Sequence, residues 1–211
     1  MADHFAEWTL RGNDMAKVLD EEGRDLLYRK ARTHNVWLPR AVDDALLREA
    51  YDLAKWGPTS ANMCPLRIVF VKSREAKEKL RPCLDAGNVD KTMAAPVTAV
   101  LGMDVHFYEK LPKLFPQADA KAWFKDLPAP ILEYIALRNS SLHGAYFMLA
   151  ARAVGLDCGP MSGFDNAKVD AAFFAGTPVK SNFLCNLRHG DPAKVYPRNP
   201  RLEFEEACKL V

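Results

Sequence analysis

Apolar positions recur at helical spacing over residues 42–54, where Leu46, Leu47, Ala50, Leu53 and Ala54 mark one face of an amphipathic helix. Asp43 and Asp44 stand at its start, where the helix dipole favours acidic groups. A β-branched run follows, Ile68-Val69-Phe70-Val71, and predicts a buried strand over 67–71. Between the two lies Trp56 to Arg67. Gly57 and Pro58 stop the helix, and Thr59, Ser60 and Asn62 crowd short polar side chains into the connection. That stretch reads either as an ordinary capped turn or as a binding loop. Ser73 caps a charged helix over 74–80, and residues 96–103 form a second apolar strand.

The longest helical pattern runs from Ile131 to Val154 and is apolar on nearly every face. Such a helix is buried centrally or by a partner chain. Arg138-Asn139-Ser140-Ser141 interrupts it, as an N-cap between two helices or as a buried polar site; one long, interrupted helix is the expectation. Gly155 ends it. Leu156 to Phe164 is a short extended piece whose glycines permit close backbone approach to a flat ligand. A helix over 165–175, a weaker strand over 181–186 and a brief helix over 204–207 complete the order, with a short helix over 25–31 near the start. Residues 104–128 mix six aromatics with prolines and charges, which suggests a mobile flap over a pocket; the alternative is an excursion packed on its own aromatics. Few strands flanked by helices give the α+β class. Residues 1–23 read as a polar extension and 24–211 as one domain.

The chain has 211 residues, 49% hydrophobic and 27% charged, enough for a core. Its net charge of +2 argues against nucleic acid, and no apolar run reaches the ~18 residues of a membrane span. The N-terminal residues lack the pattern of a signal peptide, and the five cysteines are scattered, so a cytoplasmic location with reduced thiols is expected and a zinc site is not. No dinucleotide fingerprint, phosphate loop or serine-nucleophile elbow occurs, and the histidines are isolated.

Four polar stretches carry the candidate chemistry: Arg32 to Asn35, Pro58 to Asn62, Asn88 to Lys91, read as a loop, and Gly159 to Gly163. A basic tail with Arg198 and Arg201 makes a fifth. Arginine forks suit phosphate, short amides and hydroxyls suit ring heteroatoms and a polyol, and backbone N–H groups can face the reactive edge of a flavin.

Ala31-Arg32-Thr33-His34-Asn35, Lys55 to Asn62, Gly87-Asn88, Ala95 to Thr98, Phe115-Pro116, Arg138 to Ser141, Gly159 to Asp165 and Phe204 to Cys208 together resemble the nitroreductase family of FMN-dependent oxidoreductases, over roughly residues 27–210. Within it, the likeness is to the malonic semialdehyde reductase, or 3-hydroxypropionate dehydrogenase, subgroup of pyrimidine degradation. The resemblance implies a three-layer sandwich with a central, mostly antiparallel sheet and long dimer-interface helices. It implies a homodimer with FMN at the interface and NADPH or NADH as reductant. Malonic semialdehyde would be reduced to 3-hydroxypropionate. The implied FMN contacts are Arg32, Thr33, His34 and Asn35; Pro58, Thr59, Ser60 and Asn62 from the partner; Asn88 and Lys91; Pro160, Met161, Ser162 and Gly163; and Arg198 and Arg201. Ala31 and Asn35 replace the outer arginines of the family's pattern, and Cys64 stands where many members carry Gln. His34, His106 or solvent would supply the proton, and Arg138 or Arg67 would hold a substrate carboxylate. The alternatives are a broad nitroreductase or quinone reductase and a non-catalytic FMN-binding protein.

Overall fold

A computed structural model describes residues 17–211. Residues 17–31 belong to a separate unit and are taken by themselves. There α1 (Glu21–Arg24) starts at Asp20, whose carboxylate accepts from Gly23 N at 2.7 Å, and runs into a π-turn over Asp25–Arg29. Exposed ion pairs of Glu21 with Arg24 and Arg29 lie along it and contribute little stability. Most of the expected extension, residues 1–16, lies outside the described residues.

In the main unit, α2 (Asp44–Ala54) begins at the N-cap Asp43, and β1 (Leu66–Val71) follows. Then come α3 (Arg74–Leu80), capped by Ser73 as expected, α4 (Ala86–Ala94), β2 (Val97–Asp104) and the short α5 (Leu111–Leu114). The 25-residue α6 (Ala129–Ala153), β3 (Asp157–Met161), α7 (Asn166–Phe173), β4 (Val179–Arg188) and α8 (Phe204–Ala207) complete it. The four strands form one antiparallel sheet in the order β1-β2-β4-β3, so β1 and β3 are its edges.

Every residue of β2 is buried, because helices cover both faces of the sheet. Val97, Ala99 and Leu101 point to one side, where they pack with Leu47 and Ala50 of α2 and Phe147, Ala150 and Ala151 of α6. Val100 points to the other, with Val71, Leu80, Val169 and Leu184. This alternation is the period-2 signature of a strand buried twice, and it produces the three layers. The fold is the expected α+β sandwich.

Two expectations need correction. Residues 104–128 do not form a flap: Phe107 and Leu111 are fully buried and join Met63, Met103, Leu132 and Ala136 in a third core. Aromatic density there is core packing, with Phe107 edge-on to Phe124 at 5.3 Å and Phe115 edge-on to Trp123 at 5.8 Å. Asn88 to Lys91 is not a loop but part of α4. Its Gly87, Asn88 and Asp90 are poor helix formers, and tertiary contacts hold the helix instead. Three side chains meet its terminal carbonyls: Trp37 Nε1 donates to Lys91 O at 3.3 Å, Lys77 Nζ to Thr92 O at 2.9 Å and an Arg188 Nη1 to Ala94 O at 3.2 Å.

Lys77 is 4% exposed. Its amine also donates to Thr98 Oγ1 at 2.5 Å, which donates to Asn186 Oδ1 at 2.7 Å; Asn186 Nδ2 returns to Thr92 Oγ1 at 3.3 Å. Burial pushes the Lys77 amine down to about 7 from 10.5. Between those values the unfolded chain keeps a proton that the folded chain has released. Stability therefore rises with pH across the window, by up to about 1.4 kcal/mol per pH unit. Urea unfolding at about pH 7 and about pH 10 should show this rise in the wild type and not in Lys77→Met; equal slopes in the two proteins would refute the assignment.

Candidate active site

The first half of the site forms at the β3 edge. Thr33 bridges Cys158 in parallel, His34 N donates to Cys158 O at 3.1 Å, and Trp37 bridges Gly190. Residues 33–37 are thereby held beside β3. At the far end of β3 the chain turns toward the start of α4. Asp85 N and Asn88 Nδ2 both donate to Gly163 O, at 3.2 and 2.7 Å. Gly163 packs closely on α4: a Cβ there would stand 2.4 Å from Asn88 Nδ2 and would have to displace that side chain. A cavity of about 570 Å³ opens between residues 35–37 and the outer face of α4, lined by Asn35, Trp37, Asp90, Lys91, Arg188 and Tyr196 among others. Its size suits a small-molecule ligand, and Lys91 and Arg188 give it cationic walls. Arg32 donates to Tyr196 O, so the tail is tied to the same rim.

The second half is the loop between α2 and β1. Ala61, Asn62 and Cys64 take positive φ of 47°, 50° and 42°. None is glycine, and Ala61 has no side-chain hydrogen bond of the kind that makes this region tolerable for Asn. Such strain persists only where surroundings over-determine it, and it clusters at functional sites. The surroundings here are specific. Asn139 Oδ1 accepts from Ser60 N at 2.8 Å, His143 Nε2 donates to Gly57 O at 2.7 Å, and Asn62 Nδ2 donates to Leu114 O at 2.8 Å. Thr59 Oγ1 accepts from Cys64 N at 3.2 Å, and Arg67 Nη1 donates to Cys64 O at 2.9 Å. Burial lowers the pKa of His143, and its carbonyl partner requires a proton on Nε2.

The two halves do not meet within one chain. The loop enters β1 at one edge of the sheet, and Pro160 to Gly163 leave β3 at the other. Three strand spacings separate those edges, on the order of 14 Å.

The structure thus brings Arg32, Thr33, Asn35, Asn88, Lys91 and Pro160 to Gly163 into one region, and sets Pro58, Thr59, Ser60 and Asn62 apart. Some positions offer less than their residue type suggests. The His34 side chain is 7% exposed and turned inward, 3.5 Å from Asp157 Oδ1. The Met161 side chain is buried and accepts from Thr92 Oγ1 at 3.4 Å, which leaves its backbone for a ligand. Arg201 bonds the carbonyls of Asn199 and Pro200 at 3.0 Å, on an exposed tail with Arg198. Of the carboxylate candidates, Arg67 is engaged by Asp104 Oδ2 at 2.6 Å and by two backbone carbonyls. Arg138 is exposed, its guanidinium 4.6 Å over the Tyr134 ring. His106 is exposed and stacks with Tyr108 at 5.6 Å. Arg188 was not singled out from the sequence, because a lone arginine ending a strand carries no motif.

The nitroreductase family model matches residues 28–185. The chain belongs to the nitroreductase family. A Stenotrophomonas maltophilia relative, provisionally named an NADH dehydrogenase/NAD(P)H nitroreductase, is 62% identical over 196 residues, covering 93% of this chain and 100% of that one. Solved folds agree with the sandwich. A provisionally named Bacillus subtilis nitroreductase superposes with a TM-score of 0.80 at 20% identity, covering 88% of this chain and 97% of the other. A provisionally named Exiguobacterium sibiricum nitroreductase, solved with FMN, gives 0.79 at 20% identity over 93% and 99%.

The Gly163 contact is open to test. Gly163→Ala should cost about 1–3 kcal/mol of stability, because the added methyl must displace Asn88. Urea denaturation measures the loss, and an unchanged midpoint would count against the close packing of Gly163 on α4.

Proposed function

We propose that this member of the nitroreductase family is an FMN-dependent NAD(P)H oxidoreductase that works as a homodimer and reduces malonic semialdehyde to 3-hydroxypropionate. The observation that carries the cofactor reading is the junction of Asn88 with Gly163 beside the cationic cavity of Lys91 and Arg188. That donor set fits a phosphate-bearing, heteroatom-rich ring system: cations for the phosphate, the Asn35 amide for ring or ribityl oxygens, and the backbone of Pro160 to Gly163 for one edge of the ring. When bound, FMN supplies two-electron transfer between NAD(P)H and the acceptor.

The residues supply position and electrostatics. Asn88 fixes the Gly163 carbonyl and so the course of the backbone along one edge of the site. Lys91 sits on the same helix, held by the contacts to the terminal carbonyls of α4. His34 is turned inward, which leaves His106 or solvent as the proton source for the nascent alkoxide. Arg138, exposed and without a carboxylate partner among the described residues, is the stronger anchor for a substrate carboxylate.

A second copy supplies the missing half. Ile131, Tyr134, Leu137, Leu142 and Tyr146 line an exposed arc of α6, opposite the arc of Leu132, Ala136, Phe147 and Ala151 that packs inward. Exposed apolar side chains along a helix of this length, with the exposed Arg138 among them, favour a protein interface. Covering it with another copy would bring that copy's Thr59, Ser60 and Asn62 to the β3-edge site.

A second reading keeps the cofactor and changes the acceptor. The 62% identical relative carries a nitroreductase name, which supports a broad nitroarene or quinone reductase. Purified protein should show flavin absorbance and sediment as a dimer. It should oxidise NADPH or NADH with malonic semialdehyde at a higher kcat/KM than with a nitroarene or a quinone. A higher kcat/KM for the nitroarene or quinone moves the assignment to the second reading. Flavin uptake without turnover of any acceptor would leave a binding protein, and a colourless protein that takes up no FMN would sink the cofactor reading.

A further inference from the structure

We infer that Asn139, His143 and Tyr146 of α6 form a positioning device for the cofactor loop, gripping residues 57–60 and setting them against the partner subunit's flavin. The inference rests on the dimeric FMN reading above. Residues at i, i+4 and i+7 share one stripe of a helix, and this stripe touches the loop three times. Asn139 Oδ1 takes the Ser60 N–H at 2.8 Å. His143 Nε2 gives its proton to Gly57 O at 2.7 Å. The Tyr146 ring lies so close to Gly57 that a Cβ there would stand 2.6 Å from Tyr146 Cγ.

Asn139 is 1% exposed and His143 4%, so both polar groups are desolvated and their bonds to the loop are their compensation. Neither has an obvious part in the core. Buried polar groups cost stability unless paired; Asn139 is paired with the loop and with Ile135 O at 2.9 Å, and His143 with the loop. What they do is hold a loop whose backbone is strained at Ala61, Asn62 and Cys64. The adjoining arc of the same helix carries the exposed apolar side chains proposed to meet the second copy. One rigid helix therefore links the interface to the loop, and the loop's reach into the partner's site is set by these three side chains. They act through the loop and are positioning residues.

The test uses the full chain. Asn62→Ala first asks whether the loop serves FMN at all: unchanged affinity there overturns the dimeric cofactor reading itself. Given a loss in that variant, His143→Ala and Asn139→Ala should each bind FMN about tenfold or more weakly in fluorescence titration, while sedimenting as the wild type does. His143→Gln, whose amide N–H can reach Gly57 O, should recover to within about threefold. The double variant should lose less than the sum of the singles, since the loop is released once. Wild-type affinity in His143→Ala and Asn139→Ala overturns the inference. So does a loss of FMN that tracks dimer dissociation, or failure of Gln to restore binding. If His143→Ala does not fold, the comparison of Asn139→Ala with His143→Gln decides the question on the same terms.

Discussion

The structure depends on α6 satisfying three surfaces at once. One arc packs Phe147, Ala150 and Ala151 on the sheet. Asn139 and His143, at the margin of that arc, hold the loop that starts β1. The remaining arc is exposed and carries apolar side chains together with Arg138. A helix of 25 residues can do this because its faces are fixed relative to one another by backbone geometry. Moving one surface moves all three. Arg138 to Ser141, which interrupts the apolar pattern, does not break the helix. Asn139 bonds the loop, and Ser140 donates to Gly102 O at 3.2 Å, so the polar patch is where the helix meets other backbone.

The β3 edge is governed by a different constraint. Asn88 has to face Gly163, and α4 is a weak helix by composition. Its stability is borrowed from outside. Trp37, Lys77 and Arg188 come from three separate parts of the chain and meet the carbonyls of Lys91, Thr92 and Ala94 at its C-terminal end. The Lys77 amine is buried without a carboxylate and is drawn toward its neutral form, whose two N–H groups match the two acceptors it finds. The ring of Lys77, Thr98, Asn186 and Thr92 thus ties the cavity wall to the sheet beneath it.

Much of this was legible in the residues. Asp43 and Ser73 marked helix starts that the structure keeps, because a side-chain oxygen that accepts from an N–H two or three residues on needs only local geometry. The apolar run of β1 and the all-round apolar pattern of α6 were equally local signals. The motif positions at 32–35, 58–62, 88–91 and 159–163 were visible as polar stretches. Lys77 and Arg188 were not, since a charged residue on a charged helix and an arginine ending a strand look solvated until something covers them. The aromatics of 104–128 misled for the same reason: their density is equally consistent with a lid and with a core, and only the burial of Phe107 and Leu111 decides.

The sequence by itself determined the α+β order, the helix starts, the family and the identity of the polar stretches, all of which depend on neighbours along the chain. Tertiary structure decided how those stretches are grouped. The strand order β1-β2-β4-β3 places the loop of Pro58 to Asn62 at one edge and Gly163 at the other. No spacing along the chain carries that information, because strand order is set by which hydrophobic faces pack together across the whole sheet. The polar loop between α2 and β1 looked from its residues alike a turn or a clamp. Its strained backbone and its three contacts with α6 are what make it a held loop, at the sheet edge opposite β3.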